Sequence, residues 1–167
     1  TSIILKELMK TNSFSLTHFY IKRIRRILPV LLVVIITSLP FAWIILLPNN
    51  FVEFSNSIIY SIGFSSNFYF WGIDQQYGSE SSLLKPFLHT WSLAVEEQFY
   101  ILYPIILFLT FKFLRKYLIH IFFLGFIFSI SIANWGSQNY PSANFYFLVT
   151  RIWELMAGSI LAYFEIC

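Results

Sequence analysis

Apolar runs about as long as a membrane is thick alternate with short polar segments along most of this chain. The clearest runs are residues 28–48, 91–111, 117–134 and 145–164. An α-helix needs about 20 apolar residues to cross the roughly 30 Å hydrocarbon layer of a bilayer. The pattern therefore predicts an all-α fold, a polytopic transmembrane helix bundle with about four full spans.

One further segment, residues 54–72, is aromatic but interrupted by serines and asparagines, and predicts a weak span at most. Lysine and arginine stay on the cytoplasmic side of spans. The basic residues at 22–26 and those from Lys112 onwards both lie inside only if residues 54–72 do not make a complete crossing. We therefore interpret this segment as re-entrant or interfacial, which places His89 outside. The alternative is a full crossing, with the Lys112 cluster outside.

The preferred orientation has consequences for the segments between the spans. Residues 1–27 are expected to form a short apolar tail followed by an increasingly basic loop on the cytoplasmic side. Ser81 and Ser137 are expected outside, where an impermeant thiol reagent would label cysteines placed at either position. Irregular backbone within a membrane is tolerated only where it faces protein or water, which the polar residues of 54–72 permit.

Composition excludes a soluble protein. Hydrophobic residues make up 57% of the chain and charged residues only 11%, against about 25% charged in soluble domains. The basic residues cluster beside apolar runs, which indicates membrane orientation and no nucleic-acid binding. Cys167 is the only cysteine, and His18, His89 and His120 are far apart. We therefore expect neither a disulfide framework nor a metal site.

The segment HTWSLAVEEQFY carries polar residues into an apolar run. Placed on a helix, four of its residues and Tyr103 just beyond it fall within about 80° of one another: His89, Ser92, Glu96, Tyr100 and Tyr103. An ionisable group in hydrocarbon costs about 2.5–3.5 kcal/mol even on lenient scales, so such a group usually has a function. Glu97 points away from this face, which favours Glu96 as the functional carboxylate. Alternatively, both glutamates simply extend to water at the interface.

A second charged group lies in RIWELMAG. Arg151, Glu154 and Gly158 follow one another at about one-turn intervals. In the preferred orientation Arg151 lies about 9 Å below the outer edge of its span, at 1.5 Å per residue. Glu96 lies at a matching depth, so the two side chains could pair between helices. The alternative is a local Arg151–Glu154 pair that lets the helix insert, with Gly158 allowing close packing.

The third charged group is FYIKRIRRILP, which contains Arg23 and Arg26. Such a basic run is most often an anchor on the cytoplasmic side. Arginine, however, binds phosphate through two parallel hydrogen bonds. A cytosolic donor rich in phosphate, such as a coenzyme A thioester, would fit beside this pair.

With these stretches identified, the sequence resembles the acyltransferase 3 family of multi-spanning bacterial membrane proteins. The resemblance rests on FYIKRIRRILP, SNFYFW, PFLHTWSLAVEEQFYILYPI and RIWELMAG, in the family's order, and covers essentially the whole chain. It implies a membrane O-acyltransferase that moves an acyl group, typically acetyl, from acyl-CoA to a hydroxyl of a cell-surface or exported carbohydrate. It also implies a multi-pass protein of the bacterial cytoplasmic (inner) membrane, in contact with lipid and without a permanently bound cofactor.

The sequence departs from the family at one point. The family's first helix carries an arginine and, eleven residues later, a histidine, and neither precedes the basic run here. Residues 1–167 are therefore expected to be an internal fragment of the membrane domain, lacking its first and last helices and inactive alone.

Roles for individual residues combine the resemblance with the helical pattern. We expect Glu96 to orient or charge the site, His89 to bind the acceptor or carry a proton, and Arg151 to neutralise charge. The donor's phosphates are assigned to Arg23 and Arg26. Substrate contacts are assigned to Ser92, Tyr100 and Glu154.

A transporter or flippase for a sugar- or lipid-linked substrate is the competing hypothesis. Intramembrane glutamate and arginine also mark substrate pathways, and an aromatic interior suits passage of a sugar or lipid. A preceding helix with the arginine and histidine would favour the enzyme. A purely structural subunit would leave the polar face of residues 89–103 unexplained.

Overall fold

A computed structural model describes residues 1–11, 14–77 and 85–166, and within these ranges every regular element is an α-helix or a 3₁₀ turn. The α-helices are α1 (Ser2–Thr11), α2 (Leu16–Ile45), α3 (Pro48–Ile62), α4 (Ser66–Tyr77), α5 (Thr90–Leu114), α6 (Leu118–Asn139), α7 (Pro141–Tyr146) and α8 (Ile152–Ile166). A 3₁₀ turn, Arg115–Tyr117, joins α5 to α6. The predicted all-α class is confirmed for the described part of the chain.

Two helical segments are long and apolar enough to cross a membrane, judged by length and composition alone. They are α2 and Thr90–Asn139, the latter comprising α5, the 3₁₀ turn and α6. Only 17% of the most apolar window of each segment is buried, whereas the core helix of a soluble protein would be mostly buried. Exposed apolar surface of this extent marks contact with a membrane or another protein. The predicted count of about four full spans is not confirmed.

The first span begins earlier than its hydropathy suggests. α2 has 30 residues and starts at Leu16, so the basic residues 22–26 lie inside a helix and not in a loop. The predicted tail and loop of residues 1–27 is therefore wrong, and α1 occupies its first part. Lysine and arginine are good helix formers. A hydropathy profile places the end of the apolar run where charged residues begin. The α-helical backbone hydrogen bonds, however, continue through those charged residues.

The segment 54–72 does not form one continuous helix. α3 ends in a turn in which the Ser65 N–H donates to the Tyr60 carbonyl and the Phe64 N–H to the Ser61 carbonyl, at 2.9 and 3.2 Å. Phe64 has φ 50°, a left-handed conformation that is uncommon for a bulky residue. This paired bonding pattern terminates helices. The described residues of this segment thus form two helices, and the alternative of a full crossing also stays a prediction.

Beyond the turn, α4 folds back along α3. The Tyr69 ring stacks on Tyr60 with centroids 4.6 Å apart. The Tyr69 hydroxyl reaches further back and donates to the Glu53 carbonyl at 3.0 Å. The segment therefore folds into two packed helices, and its re-entrant or interfacial placement in the membrane stays a prediction.

The last predicted span, residues 145–164, is also interrupted. α7 ends at Tyr146 and α8 starts at Ile152, leaving α8 with 15 residues, about 22 Å at 1.5 Å per residue. Ser129 of α6 stabilises the break from the side. Its buried hydroxyl donates to the Val149 carbonyl at 2.6 Å and accepts the Trp153 N–H at 3.0 Å. The bond to Trp153 satisfies one of the free amides at the start of α8.

Replacing Ser129 with alanine should lower the free energy of unfolding by about 1–3 kcal/mol, because a carbonyl and an amide lose their buried partner. Thermal unfolding of the detergent-solubilised protein measures this loss. Ser131→Ala is the matched control, since Ser131 is exposed on the same helix and its hydroxyl donates only to the Ile127 carbonyl. Equal melting temperatures for the two variants would contradict the conclusion that Ser129 stabilises the break before α8.

The chain divides into two compact units. The first unit comprises Thr1–Leu16 with Gln98–Cys167, and the second unit comprises Thr17–Glu97. In the first unit α8 packs against α6 and α1, and Ser159 of α8 lies 2.8 Å from the Thr1 hydroxyl. The second unit contains most of α2, all of α3 and α4, and the first two turns of α5.

Candidate functional site

The second unit holds a cavity of about 410 Å³ between α2 and the beginning of α5. Its polar groups are one guanidinium, one imidazole and two hydroxyls, and its remaining wall is apolar. The lining residues are Arg26, Ile27, Val30, Leu31, Val34, Phe87, His89, Thr90, Ser92 and Leu93. This volume lies within the usual range for small-molecule sites, roughly 300–1,000 Å³.

The α2 wall follows from helical periodicity. Arg26, Val30 and Val34 are spaced by four residues and therefore share one face of the helix. Ile27 and Leu31 fill the neighbouring positions. One face of α2 thus presents a single cation at one end and an aliphatic surface beyond it.

The opposite wall is held in place by contacts around the start of α5. Phe87 is 2% exposed and its ring lies 5.3 Å from that of Phe54 on α3. The Thr90 hydroxyl donates to the Phe87 carbonyl and lies 2.8 Å from the Ser61 hydroxyl at the end of α3. His89 sits in the turn just before α5, with its ring stacked 6.2 Å from Phe87. These contacts fix the position from which His89 faces the cavity.

A buried ion pair lies one helical turn from Arg26. The Arg23 Nε lies 3.0 and 2.9 Å from the two carboxylate oxygens of Glu97, and Nη2 lies 2.6 Å from Oε1. The side chains are 21% and 7% exposed. A carboxylate buried to this degree requires such a partner, because an unpaired buried charge is strongly unfavourable.

Three of the predicted site residues come together in this cavity: Arg26, His89 and Ser92. The sequence had placed the basic run and His89 on opposite sides of the membrane. The structure does not show that separation, because Arg26 and His89 line the same cavity and Arg23 contacts Glu97, two helical turns beyond His89. The expectation followed from treating residues 22–26 as a loop anchor. Ser81, on which the labelling expectation also rests, lies outside the described residues.

The structure does not support the preference for Glu96 over Glu97 as the functional carboxylate. Glu96 is exposed and does not line the cavity, whereas Glu97 is 5% exposed and paired with Arg23. The residues predicted to share a polar face with Glu96 also differ in their surroundings. Tyr103 is 2% exposed and its hydroxyl accepts a hydrogen bond from the Thr1 hydroxyl, while Tyr100 is half-buried. The five residues share a helical face but not one environment, and the role of Glu96 stays a prediction.

Arg151 lies in the turn before α8, in the first unit. Its Nη1 donates to Glu154 Oε1 at 3.3 Å, and its Nε donates to the Phe145 carbonyl at 3.2 Å. The local pair is thus formed, and the depth match with Glu96 loses its basis because the continuous span is absent. Among the described residues, no atom lies within 4 Å of a Cβ placed at Gly158, so they do not form the close packing expected there. The functional roles of Arg151 and Glu154 stay predictions.

The arrangement in the second unit suits an anionic, amphipathic ligand. Arg26 can bind an anionic group, and the aliphatic residues can cover a chain. His89 supplies an imidazole, the side chain that most often serves as a general acid or base. Within the described ranges, no three His, Cys, Asp or Glu side chains are grouped as metal ligands.

Comparison with known proteins relates the chain to one family. The family described as "Acyltransferase domain" matches residues 8–165. An uncharacterized protein of Haemophilus influenzae is 37% identical over 172 residues, covering 99% of this chain and 69% of that protein. The O-acetyltransferase OatA of Staphylococcus aureus is 29% identical over 171 residues, covering 98% of this chain and 27% of its own length. No solved structure matches the chain.

Proposed function

This chain belongs to the acyltransferase domain family, and we propose that it supplies the donor site of a membrane O-acetyltransferase. The family expected from the sequence is confirmed, and with it the enzyme class, an acyltransferase. The chain spans about a quarter of the S. aureus relative, 27% of its length. The activity, donor and acceptor of the whole protein are therefore our proposals. The observation that carries them is the cavity shared by Arg26 and His89.

The donor we propose is an acyl-CoA thioester, with acetyl-CoA as the first candidate. Among the described residues Arg26 forms no ion pair, so none of their carboxylates compensates its charge. A phosphate of coenzyme A would compensate it through two N–H donors. The aliphatic face formed by Val30, Val34 and Leu93 would cover the pantetheine arm and the acyl group.

Transfer requires a proton to leave the acceptor hydroxyl as the oxygen attacks the thioester carbon. We assign this proton transfer to His89, since a neutral imidazole can accept a proton on one ring nitrogen. In this step the C–O bond forms and the C–S bond breaks. The proton passes from the hydroxyl to His89 and from there to the departing thiolate. We propose a hydroxyl of a cell-surface or exported carbohydrate as the acceptor.

The proposed location is the bacterial cytoplasmic membrane, with several crossings. Support comes from α2 and Thr90–Asn139, whose apolar side chains mostly face away from the rest of the protein. A helix of such composition in water would expose an apolar surface larger than soluble monomers normally carry. The cytoplasmic membrane also brings a cytosolic thioester and an exported carbohydrate to the same protein.

The experiment is a transfer assay with the intact protein in lipid nanodiscs. Acetyl-CoA and an acceptor oligosaccharide are supplied, free thiol release is followed, and acceptor mass is measured. Stoichiometric appearance of coenzyme A and acetylated oligosaccharide is expected. If the thioester remains intact while vesicle-reconstituted protein moves a sugar-linked lipid across the membrane, the enzyme proposal fails and the transporter hypothesis replaces it.

A further inference from the structure

Arg23 and Arg26 lie one turn apart on α2, yet their surroundings differ. Arg23 is part-buried, with its Nε and Nη2 bonded to Glu97. Arg26 is exposed, lines the cavity and has no ion-pair partner in the described ranges. Two arginines of one motif therefore cannot be assumed to perform the same task.

We propose that Glu97 is a positioning residue for the donor site, and that Arg23 and Arg26 have different roles. Glu97 holds Arg23 and neutralises its charge, and Arg26 alone of the two binds the anionic part of the donor. This inference rests on the proposed function for the identity of the donor. The Arg23–Glu97 part can be tested without any donor.

The geometry explains how Glu97 acts on Arg26. A bidentate arginine–carboxylate pair fixes orientation as well as distance, since two parallel bonds resist rotation. One member is on α2, which carries Arg26, and the other is on α5, whose first residues follow His89. The pair thus ties together the two walls of the cavity. Without it, the spacing between the Arg26 guanidinium and the His89 imidazole would no longer be set.

The charges support the same division. Removing Glu97 would take away the carboxylate that holds the part-buried Arg23 cation through its Nε and Nη2, which is strongly unfavourable. With Glu97 in place the pair carries no net charge. Among the described residues that line the cavity, Arg26 is then the cation that an anionic donor meets. Lysine at position 23 would keep the charge but lose the planar fork.

Arginine-specific modification with phenylglyoxal, mapped by mass spectrometry, tests the pairing directly. Arg25 is exposed and does not line the cavity, so it serves as the internal reference. We expect Arg23 to react about tenfold more slowly than Arg25, because its Nε and Nη2 are held by a carboxylate. Glu97→Gln should remove most of this protection. Glu96→Gln is the matched control and should leave Arg23 protected.

Kinetics of acyl transfer separate positioning from a merely structural role. Glu97→Gln should raise KM for acyl-CoA about 3- to 10-fold at equal amounts of folded protein, since a misplaced Arg26 loses part of a charge-assisted bond. A structural role would lower the amount of active protein and leave KM unchanged. The exchange Arg23→Glu with Glu97→Arg should restore KM towards the starting value. If Glu97→Gln protein does not insert into the membrane, this exchange variant still tests the inference.

The outcomes are distinguishable. The inference is overturned if Arg23 reacts as fast as Arg25 in the unaltered protein, if Glu97→Gln leaves its rate unchanged, or if the exchange rescues nothing. The proposed function is judged by a different result. Coenzyme A should protect Arg26 from phenylglyoxal in the unaltered protein. If it does not, the donor assignment fails, while the rates at Arg23 still decide whether Glu97 holds it.

Discussion

Replacing Arg26 with glutamine should raise KM for acyl-CoA about 10- to 100-fold, with little change in kcat. The expected size follows from losing hydrogen bonds between a guanidinium and a phosphate, worth about 1.5–3 kcal/mol. The variant should raise KM and leave kcat nearly unchanged, because the phosphates of the donor do not change during acyl transfer. Binding of the ground state and of the transition state is then weakened by the same amount. Initial rates at varied acyl-CoA and saturating acceptor measure it.

Two companion variants show whether the effect belongs to this arginine. Arg25→Gln removes the same charge from the exposed neighbouring position, outside the cavity lining, and should leave KM nearly unchanged. Arg26→Lys keeps the charge without the fork and should give an intermediate KM. An equal rise in KM for Arg25→Gln and Arg26→Gln would mean that only the summed charge of the basic run matters.

Replacing His89 with alanine should lower kcat about 10²- to 10⁴-fold, the usual contribution of a positioned general acid–base group. KM for acyl-CoA should change little, since Arg26 still binds the donor. Added imidazole should restore part of the rate, because a small base can enter the space that the side chain leaves. Single-turnover acyl transfer, with and without imidazole, measures both effects.

His120→Ala is the matched control, because His120 is an exposed histidine on α6 of the first unit. It should retain full activity. His89→Ala protein must also melt normally, since His89 stacks beside the buried Phe87. A variant that folds, binds coenzyme A and turns over at an undiminished rate would exclude His89 as the proton carrier.

Local sequence patterns predict much of the helical architecture. Residues 91–111, predicted as a span, lie within α5, and those of the predicted span 117–134 lie within α6 except Tyr117, which ends the 3₁₀ turn. His89, which the helical-face argument placed on the helix, lies in the turn just before α5. These features depend on the apolar run itself. The interruption of residues 54–72 was suggested by their serines and asparagines, although the left-handed Phe64 could not be anticipated from a residue type that rarely adopts it.

The features that sequence reasoning missed depend on contacts between distant residues. Arg23 and Glu97 are 74 positions apart, and the helical-face argument considered only residues on the same helix as Glu97. Ser129 stabilises the break before α8 from another helix. An apolar run that contains a serine does not by itself show that the serine contacts another helix. One clue was present: adjacent glutamates point in different directions on a helix, so each needs its own explanation.

The account depends on the donor occupying the cavity between α2 and α5, and photocrosslinking measures this directly. The intact protein is irradiated with a diazirine-bearing acyl-CoA, digested and mapped by mass spectrometry, with and without excess coenzyme A. We predict competable labels on the aliphatic wall, at Val30, Val34 or Leu93. Competable labels confined to peptides that contain none of the cavity residues would contradict the donor site proposed for this chain.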